Sequence, residues 1–302
     1  MVYVFLYINT GFHHMGKLNT VRQSTSSVLK AVNILKCFSP SELELGVTDI
    51  AKRLSISTST AQRLLATLAK SGLLEQDHDS RKYKVGRTFY ALGSLYLSST
   101  DLTRAAEPVM KALNELTGET IGLGILEEGN VVYVLREEAK GHLRFATHVG
   151  TIVSAYSSTM GKALLSQLPE SDIDYLYPDE NLKTRTKYTI ATKTLLKQEL
   201  RKIKETGISH SRQEGFEGFE GIASLIRDRT GKSIAAMSIS VPVFRMNEQL
   251  FERLEVLLKM GCDLISYSLG HQIQDVYTIE EMKSWWAQAE SKAEQPAFLA
   301  DS

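Results

Sequence analysis

Between Thr48 and Gly86 two helical patterns, separated by a three-residue turn, run straight into a basic hairpin, and that order leaves few folds open. Thr48 is placed to cap a short helix carrying Ile50, Ala51 and Leu54. Ser55-Ile56-Ser57 makes a tight turn, with Ser57 or Thr58 as the next cap. The helix that follows sets Ala61, Leu64, Leu65 and Leu68 on one face, while Ser59, Thr60, Gln62 and Arg63 fall largely on the other. Lys70-Ser71-Gly72 ends it with a base in the last turn and a glycine just beyond. Leu73 to Gln76 then reads as a strand, Asp77 to Ser80 as its turn, and Arg81 to Gly86 as the returning strand. Upstream, Val28, Ala31, Val32, Leu35 and Phe38 keep helical spacing behind N-cap candidates at Ser24 to Ser27. Three helices and a basic hairpin predict a winged helix-turn-helix over 24–88.

The chemistry of that pattern points to double-stranded DNA. A major groove about 12 Å wide admits one helix, whose early residues reach the base edges. Thr58, Ser59, Thr60, Gln62 and Arg63 are the candidates for this contact. A glutamine can pair bidentately with adenine, and hydroxyls and arginine can meet phosphates or bases. In the hairpin, Arg81, Lys82 and Lys84 suit the phosphate backbone or the minor groove. A small helical bundle with a merely solvated face is the alternative, and a basic wing at this distance argues against it. The whole chain is neutral, with 35 basic and 35 acidic residues. Between Ser24 and Tyr90, however, ten bases stand against six acids, a net +4 that leaves −4 for the rest. A basic reading head on a neutral-to-acidic body fits that asymmetry.

At 302 residues the chain exceeds the usual single domain, so two unequal domains are expected. Cys37 and Cys262 lie far apart and outside any CxxC or histidine-rich pattern, which predicts no disulfide framework, no metal site and a reducing cytoplasm. The apolar run at Val2 to Ile8 has no basic flank or cleavage site and is too short for a bilayer span. Residues 1–23 are expected to form a disordered leader, or Met15 to be the true start. No membrane partner is expected. Phe89, Leu92, Leu95 and Tyr96 mark a connecting helix assigned to 89–104.

From 105 to 272 helices and hairpin-spaced strands alternate. Helices are expected at 105–116, 161–168, 195–205 and 248–269, and strands at 122–126, 130–135, 143–145 and 233–243. That mixture predicts an α+β domain with an antiparallel sheet. Beyond His271 the pattern weakens, and 273–302 is expected to be a loosely held tail, although Trp285 and Trp286 could dock.

Two segments of the second domain carry candidate chemistry. Ser157 to Leu165 sets a hydroxyl-rich cap before a helix, whose free amides suit a carboxylate or phosphate. A routine N-cap, with Gly161 selected for close packing, explains the same residues. Ala163 stands where a Walker loop needs Ser or Thr after Lys162, which excludes a nucleotide P-loop. In Ala236 to Val241, Ser238 and Ser240 share one strand face and Met237, Ile239 and Val241 the other. The serine face is either a polar ligand wall or a solvated surface, and periodicity leaves both open. No nucleophile elbow, paired carboxylates or histidine cluster is present, so no catalytic residue, no cofactor and no enzyme is expected. A ligand-binding signalling module or a small-molecule enzyme, without DNA binding, is the alternative that the N-terminal head opposes.

Several of these stretches together resemble the IclR family of bacterial transcriptional regulators. They are Ser26 to Ala31, Thr48 to Leu54, Ser59 to Leu68 with Ser71-Gly72-Leu73, Lys82 to Gly86, and Gly161 to Leu165. Thr186 to Ile190 is similar as well, as are Glu214-Gly215 through Gly221 to Gly231, which resembles a pocket loop, and Ser238-Ile239-Ser240. The resemblance covers roughly 24–271. It implies a winged head, a connecting helix, a GAF-like domain for a small-molecule effector, and a homodimer or dimer of dimers on a palindromic operator. The effector pocket it implies comprises Thr159, Met160, Gly161, Ser211, Arg212, Gly221, Ser238 and Ser240. The chain departs from the family's usual acidic residues at Ser211, Arg212 and Gln213, and from its usual Ala-Pro-Val at Ser224-Leu225-Ile226. Arg212 at that place raises the expectation of an anionic effector, such as an organic or sugar acid; an exposed, solvated arginine is the other reading.

Overall fold

Buried apolar side chains gather into separate cores in two units, one ending at Ser99 and the other starting at Thr100. The computed structural model describes residues 27–39, 42–99, 101–139 and 147–293. The leader, the strand expected at 143–145 and the last nine residues lie outside them.

In the first unit α1 (Ser27–Leu35), α2 (Val47–Leu54) and α3 (Thr58–Lys70) pack around Ile34, Ile50, Ala61, Leu65 and Leu68. A three-stranded antiparallel sheet of β1 (Glu44–Leu45), β2 (Leu74–Gln76) and β3 (Tyr83–Val85) closes this core with Leu45, Leu74 and Tyr83, in the order β1-β3-β2. The second helix begins earlier than the sequence suggests. Gly46 is its N-cap, and the Gly46 amide donates to Asp49 Oδ2 at 2.9 Å, so Thr48 lies inside the first turn. At the hairpin, Asp77 Oδ1 accepts from the amides of Asp79 (3.1 Å) and Ser80 (2.8 Å), and Arg81 takes the left-handed conformation (φ 59°). The first unit ends in α4 (Thr88–Ser99), the helix expected after the wing.

The second unit is a six-stranded antiparallel sheet with helices on both faces. Its strands are β4 (Thr120–Glu127), β5 (Asn130–Glu137), β6 (Ile152–Ser154), β7 (Ser209–Arg212), β8 (Phe219–Arg227) and β9 (Ser233–Pro242), in the order β6-β5-β4-β9-β8-β7. On one face α5 (Asp101–Thr117), α9 (Glu248–Ser268) and α10 (Ile279–Ala293) bury Ile121, Leu123, Ile222, Ile226, Met237 and Ile239. On the other, a 3-10 turn (Ala155–Ser157), α6 (Thr159–Leu165), α7 (Glu170–Leu176) and α8 (Lys193–Thr206) cover Val131, Tyr133, Ala223, Leu225 and Ala236.

Two expectations need correcting. The stretch read as a loop from Glu214 to Gly231 contains the nine-residue strand β8. Both of its faces are buried, so Gly221-Ile222-Ala223-Ser224-Leu225-Ile226 shows no polar alternation to betray it. The supposed loose tail contains a docked helix, α10, with Met282 (0% exposed) and Trp286 (4% exposed) inside the core of the α5/α9 face. A capping box starts it: the Glu281 amide donates to Thr278 Oγ1 (3.2 Å) and the Thr278 amide to Glu281 Oε2 (2.7 Å). The Arg253 guanidinium lies 5.3 Å from the centroid of the Trp286 ring. Trp286→Ala should therefore cost the second unit about 3–5 kcal/mol in a urea titration. A loosely held tail would shift the midpoint hardly at all.

Candidate DNA-facing helix and effector pocket

The N-terminus of α3 is held by a hydroxyl network. Ser57 is the N-cap; its Oγ accepts from the Thr60 amide at 3.2 Å, donates to Thr60 Oγ1 at 2.8 Å, and lies 3.1 Å from Ser59 Oγ. Thr60 is consequently half-buried and committed to the cap, whereas Thr58, Ser59, Gln62 and Arg63 are exposed. Among the described residues no carboxylate pairs with Arg63. The wing residues differ among themselves. Arg81 and Lys82 are exposed at the end of the hairpin turn, while Lys84 stands opposite Glu75 across the strands, with Nζ 3.9 Å from its carboxylate. Arg87 meets the same carboxylate at 3.4 Å.

In the second unit a pocket of about 480 Å³, open mouth included, lies between the sheet and the start of α6. Six of the eight residues implied for the effector line it: Thr159, Met160, Ser211, Gly221, Ser238 and Ser240. Strand register brings them together. Ser211 pairs with Gly221, Gly221 with Ser240, and Ala223 with Ser238, so the serines form rows on one sheet face. Met237, Ile239 and Val241 point the other way and are fully buried. The serine face is thus a cavity wall rather than a solvated surface. Gly221 is required by proximity, because a Cβ there would meet Thr159 Oγ1 at 2.6 Å.

Two implied residues do not line the pocket. Gly161 packs on the 3-10 turn, where a Cβ would fall 2.2 Å from the Ala155 carbonyl oxygen, and its amide donates to Ser158 Oγ at 2.9 Å. The close-packing reading holds for it. Arg212 is exposed and, by strand alternation, shares a face with His210 rather than with Ser211. On that face His210 Nε2 lies 2.9 Å from Glu220 Oε2, and its ring is 4.6 Å from that of Phe251. Burial pushes the His210 imidazole below its usual range, against the pull of Glu220.

The cation at the pocket is Arg185, which sequence reasoning missed. Its guanidinium sits 5.4 Å from the Phe216 ring centroid, and both residues contribute to the lining. Its amide donates to Thr189 Oγ1 at 3.0 Å, the residue that also holds the pocket loop. Tyr133 and Phe219 add aromatic wall. Position alone makes Arg185 relevant: it is more than twenty residues from any other lining residue in sequence.

Behind the pocket Lys162 is wholly buried. Its Nζ donates to Glu214 Oε1 at 2.6 Å, to the His210 carbonyl at 2.8 Å and to Glu199 Oε1 at 3.3 Å. Burial pushes the Glu214 carboxyl above the usual range, and the Lys162 charge opposes that shift. The Glu214 carbonyl accepts from Thr189 Oγ1 at 2.7 Å, and the Gln213 carbonyl from Thr186 Oγ1 at 2.9 Å. Lys162→Ala would leave Glu214 buried without its cation, and should cost about 3–5 kcal/mol by chemical denaturation. Pairing it with Glu214→Leu should recover part of that loss, because the orphaned charge goes too.

Among the described residues no group of three or more His, Cys, Asp or Glu side chains could hold a metal, and no helix is long and apolar enough to cross a membrane. Residues 27–78 match the family model described as the IclR helix-turn-helix domain, and residues 94–267 the model described as bacterial transcriptional regulator IclR C-terminal. The chain is 33% identical over 248 residues to the HTH-type transcriptional regulator KdgR of Escherichia coli, covering 82% of this chain and 94% of that protein. It is 29% identical over 251 residues to the HTH-type transcriptional repressor AllR of Salmonella typhi, covering 83% and 92%. An IclR transcriptional regulator from Alicyclobacillus acidocaldarius has the same architecture, with a TM-score of 0.73 at 25% identity over 81% of this chain and 98% of that one. With its helix-turn-helix head and its C-terminal effector-binding domain, this chain belongs to the IclR family of bacterial transcriptional regulators.

Proposed function

We propose that this chain binds a palindromic operator as a homodimer or dimer of dimers, and that a small anionic metabolite, an organic or sugar acid, modulates that binding. The observation that carries the DNA half is the pair of long side chains, Gln62 and Arg63, exposed on the first turns of α3 and without a polar side-chain partner among the described residues. Thr58 and Ser59 border them, Thr60 steadies the helix start, and Arg81 and Lys82 supply phosphate contacts from the wing, with Lys84 shared between Glu75 and the DNA. The regulator works in the cytoplasm, where the chromosome lies. It acts by binding and not by catalysis.

The anion preference is transferred from Arg212 to Arg185. Arg212 stands on the wrong face of β7, whereas Arg185 presents a guanidinium at a pocket rich in hydroxyls. The carboxylate of the effector meets Arg185, and its remaining polar groups meet Thr159, Ser211, Ser238 and Ser240. Effector binding shifts operator affinity by its differential affinity for the DNA-competent arrangement, with α4 as the connecting element.

Substituting both Gln62→Ala and Arg63→Ala should lower operator affinity about thirtyfold or more in a mobility-shift titration of folded protein. Unchanged occupancy would sink the DNA reading. Operator affinity should also fall steeply and linearly in a log–log plot against salt. For the effector, a thermal-shift screen of sugar acids and aromatic acids identifies ligands. Arg185→Ala should weaken a carboxylate hit about 10- to 100-fold, the worth of a charge-assisted hydrogen bond, while Arg212→Ala should leave it unchanged. The reverse outcome would restore Arg212 as the anion anchor.

A further inference from the structure

The outward face of α3 contains one residue that no polar-contact argument uses. Ala61, Leu64, Leu65 and Leu68 are buried, and the residues directly opposite them are Ser59, Arg63, Ala66 and Lys70, at successive spacings of four, three and four. All four are exposed. Three carry polar or charged groups, and Ala66, in the middle of the helix, carries a single methyl. The hydroxyls around it are occupied: Ser57, Ser59 and Thr60 are linked in the cap, and Thr67 Oγ1 donates to the Arg63 carbonyl at 2.9 Å.

We infer that Ala66 is a base-reading residue, whose methyl group meets the C5-methyl of a thymine on the floor of the major groove. This rests on the reading that α3 lies in that groove. A helix fits the groove only as closely as the side chains on its central line allow, and at Ala66 that line is cut back to one carbon. Arg63, one turn earlier on the same line, is long enough to reach a guanine edge from the same axis position. A methyl on the line can make apolar contact with thymine alone, since thymine is the base that presents a methyl in the major groove. Ala66 thereby specifies a T·A pair beside the base taken by Arg63.

The test uses the full-length protein and duplexes that it selects from a randomised DNA pool. Each thymine of the selected half-site is replaced in turn by uracil, which removes only the methyl group. The wild type should lose about fourfold in affinity at one thymine per half-site, the worth of one methyl withdrawn from water. Ala66→Gly should bind more weakly overall and lose that particular sensitivity, whereas Ala66→Ser, which lowers helix propensity but keeps the Cβ, should retain it, with circular dichroism unchanged in both. Thymines read through shape or through other residues keep the same sensitivity in Ala66→Gly as in the wild type. The inference fails if no thymine shows the effect in the wild type, or if the effect persists undiminished in Ala66→Gly. Specific binding that survives such a result leaves the operator reading intact. Failure to select any duplex overturns the operator reading, and this inference with it.

Discussion

One buried ammonium group organises the effector domain. Lys162 leaves α6 and reaches a carboxylate on the pocket loop, a carboxylate on α8 and a backbone carbonyl on β7. Such a cation inside a protein is tolerated only when its donors are all met, and here they are met by three separate elements. The consequence is geometric. Glu214 is fixed by Lys162, so the following Gly215 can press against the Ser157 carbonyl, where a Cβ would stand at 2.8 Å. Thr186 and Thr189 hold the loop from the other side, and Arg185 is carried next to them. The pocket keeps its shape because its loop is anchored in the core rather than in its own contacts.

Both faces of the sheet bury an apolar core, but among the described residues only one of them also leaves room for a pocket. One face is sealed by α5, α9 and α10 over isoleucines, leucines and methionines, with Trp286 as an additional plug. The opposite face carries serines and glycines at the same registers. Gly122, Gly124 and Gly221 remove side chains where Tyr133, Met160 and Thr159 come close. The pocket is therefore opened by what the strands lack at these registers, while the rest of the same face stays packed under α6, α7 and α8.

The head follows a different logic, in which rigidity precedes contact. Ser57 caps α3, Asp77 folds the wing turn, and Arg53 binds Glu42 through two guanidinium nitrogens, one at 2.8 Å. These local bonds leave the long side chains Gln62, Arg63, Arg81 and Lys82 exposed on a preset frame. A surface preset in this way loses little backbone conformational freedom when it is bound.

Local chemistry in the sequence was enough to read the winged head: helical periodicity, a serine cap, a basic hairpin and one polar helix face are all encoded within a few residues of each other. The alternation at Ser238 and Ser240 was equally legible, because strand geometry alone separates those side chains from Met237 and Ile239. Which of the two faces holds a cavity was not legible, since that depends on the helices laid over it. Strand β8 escaped because burial on both sides erases the period of two, and α10 escaped because Met282 and Trp286 acquire meaning only beside α5 and α9. Arg185 and Arg212 mark the limit most sharply. Sequence placed Arg212 next to Ser211, but neighbours on a strand face opposite ways; folding brought in Arg185 from a distant segment. Residue type and local spacing are written in the chain, whereas the meeting of remote side chains is decided by the packing of the sheet against its helices.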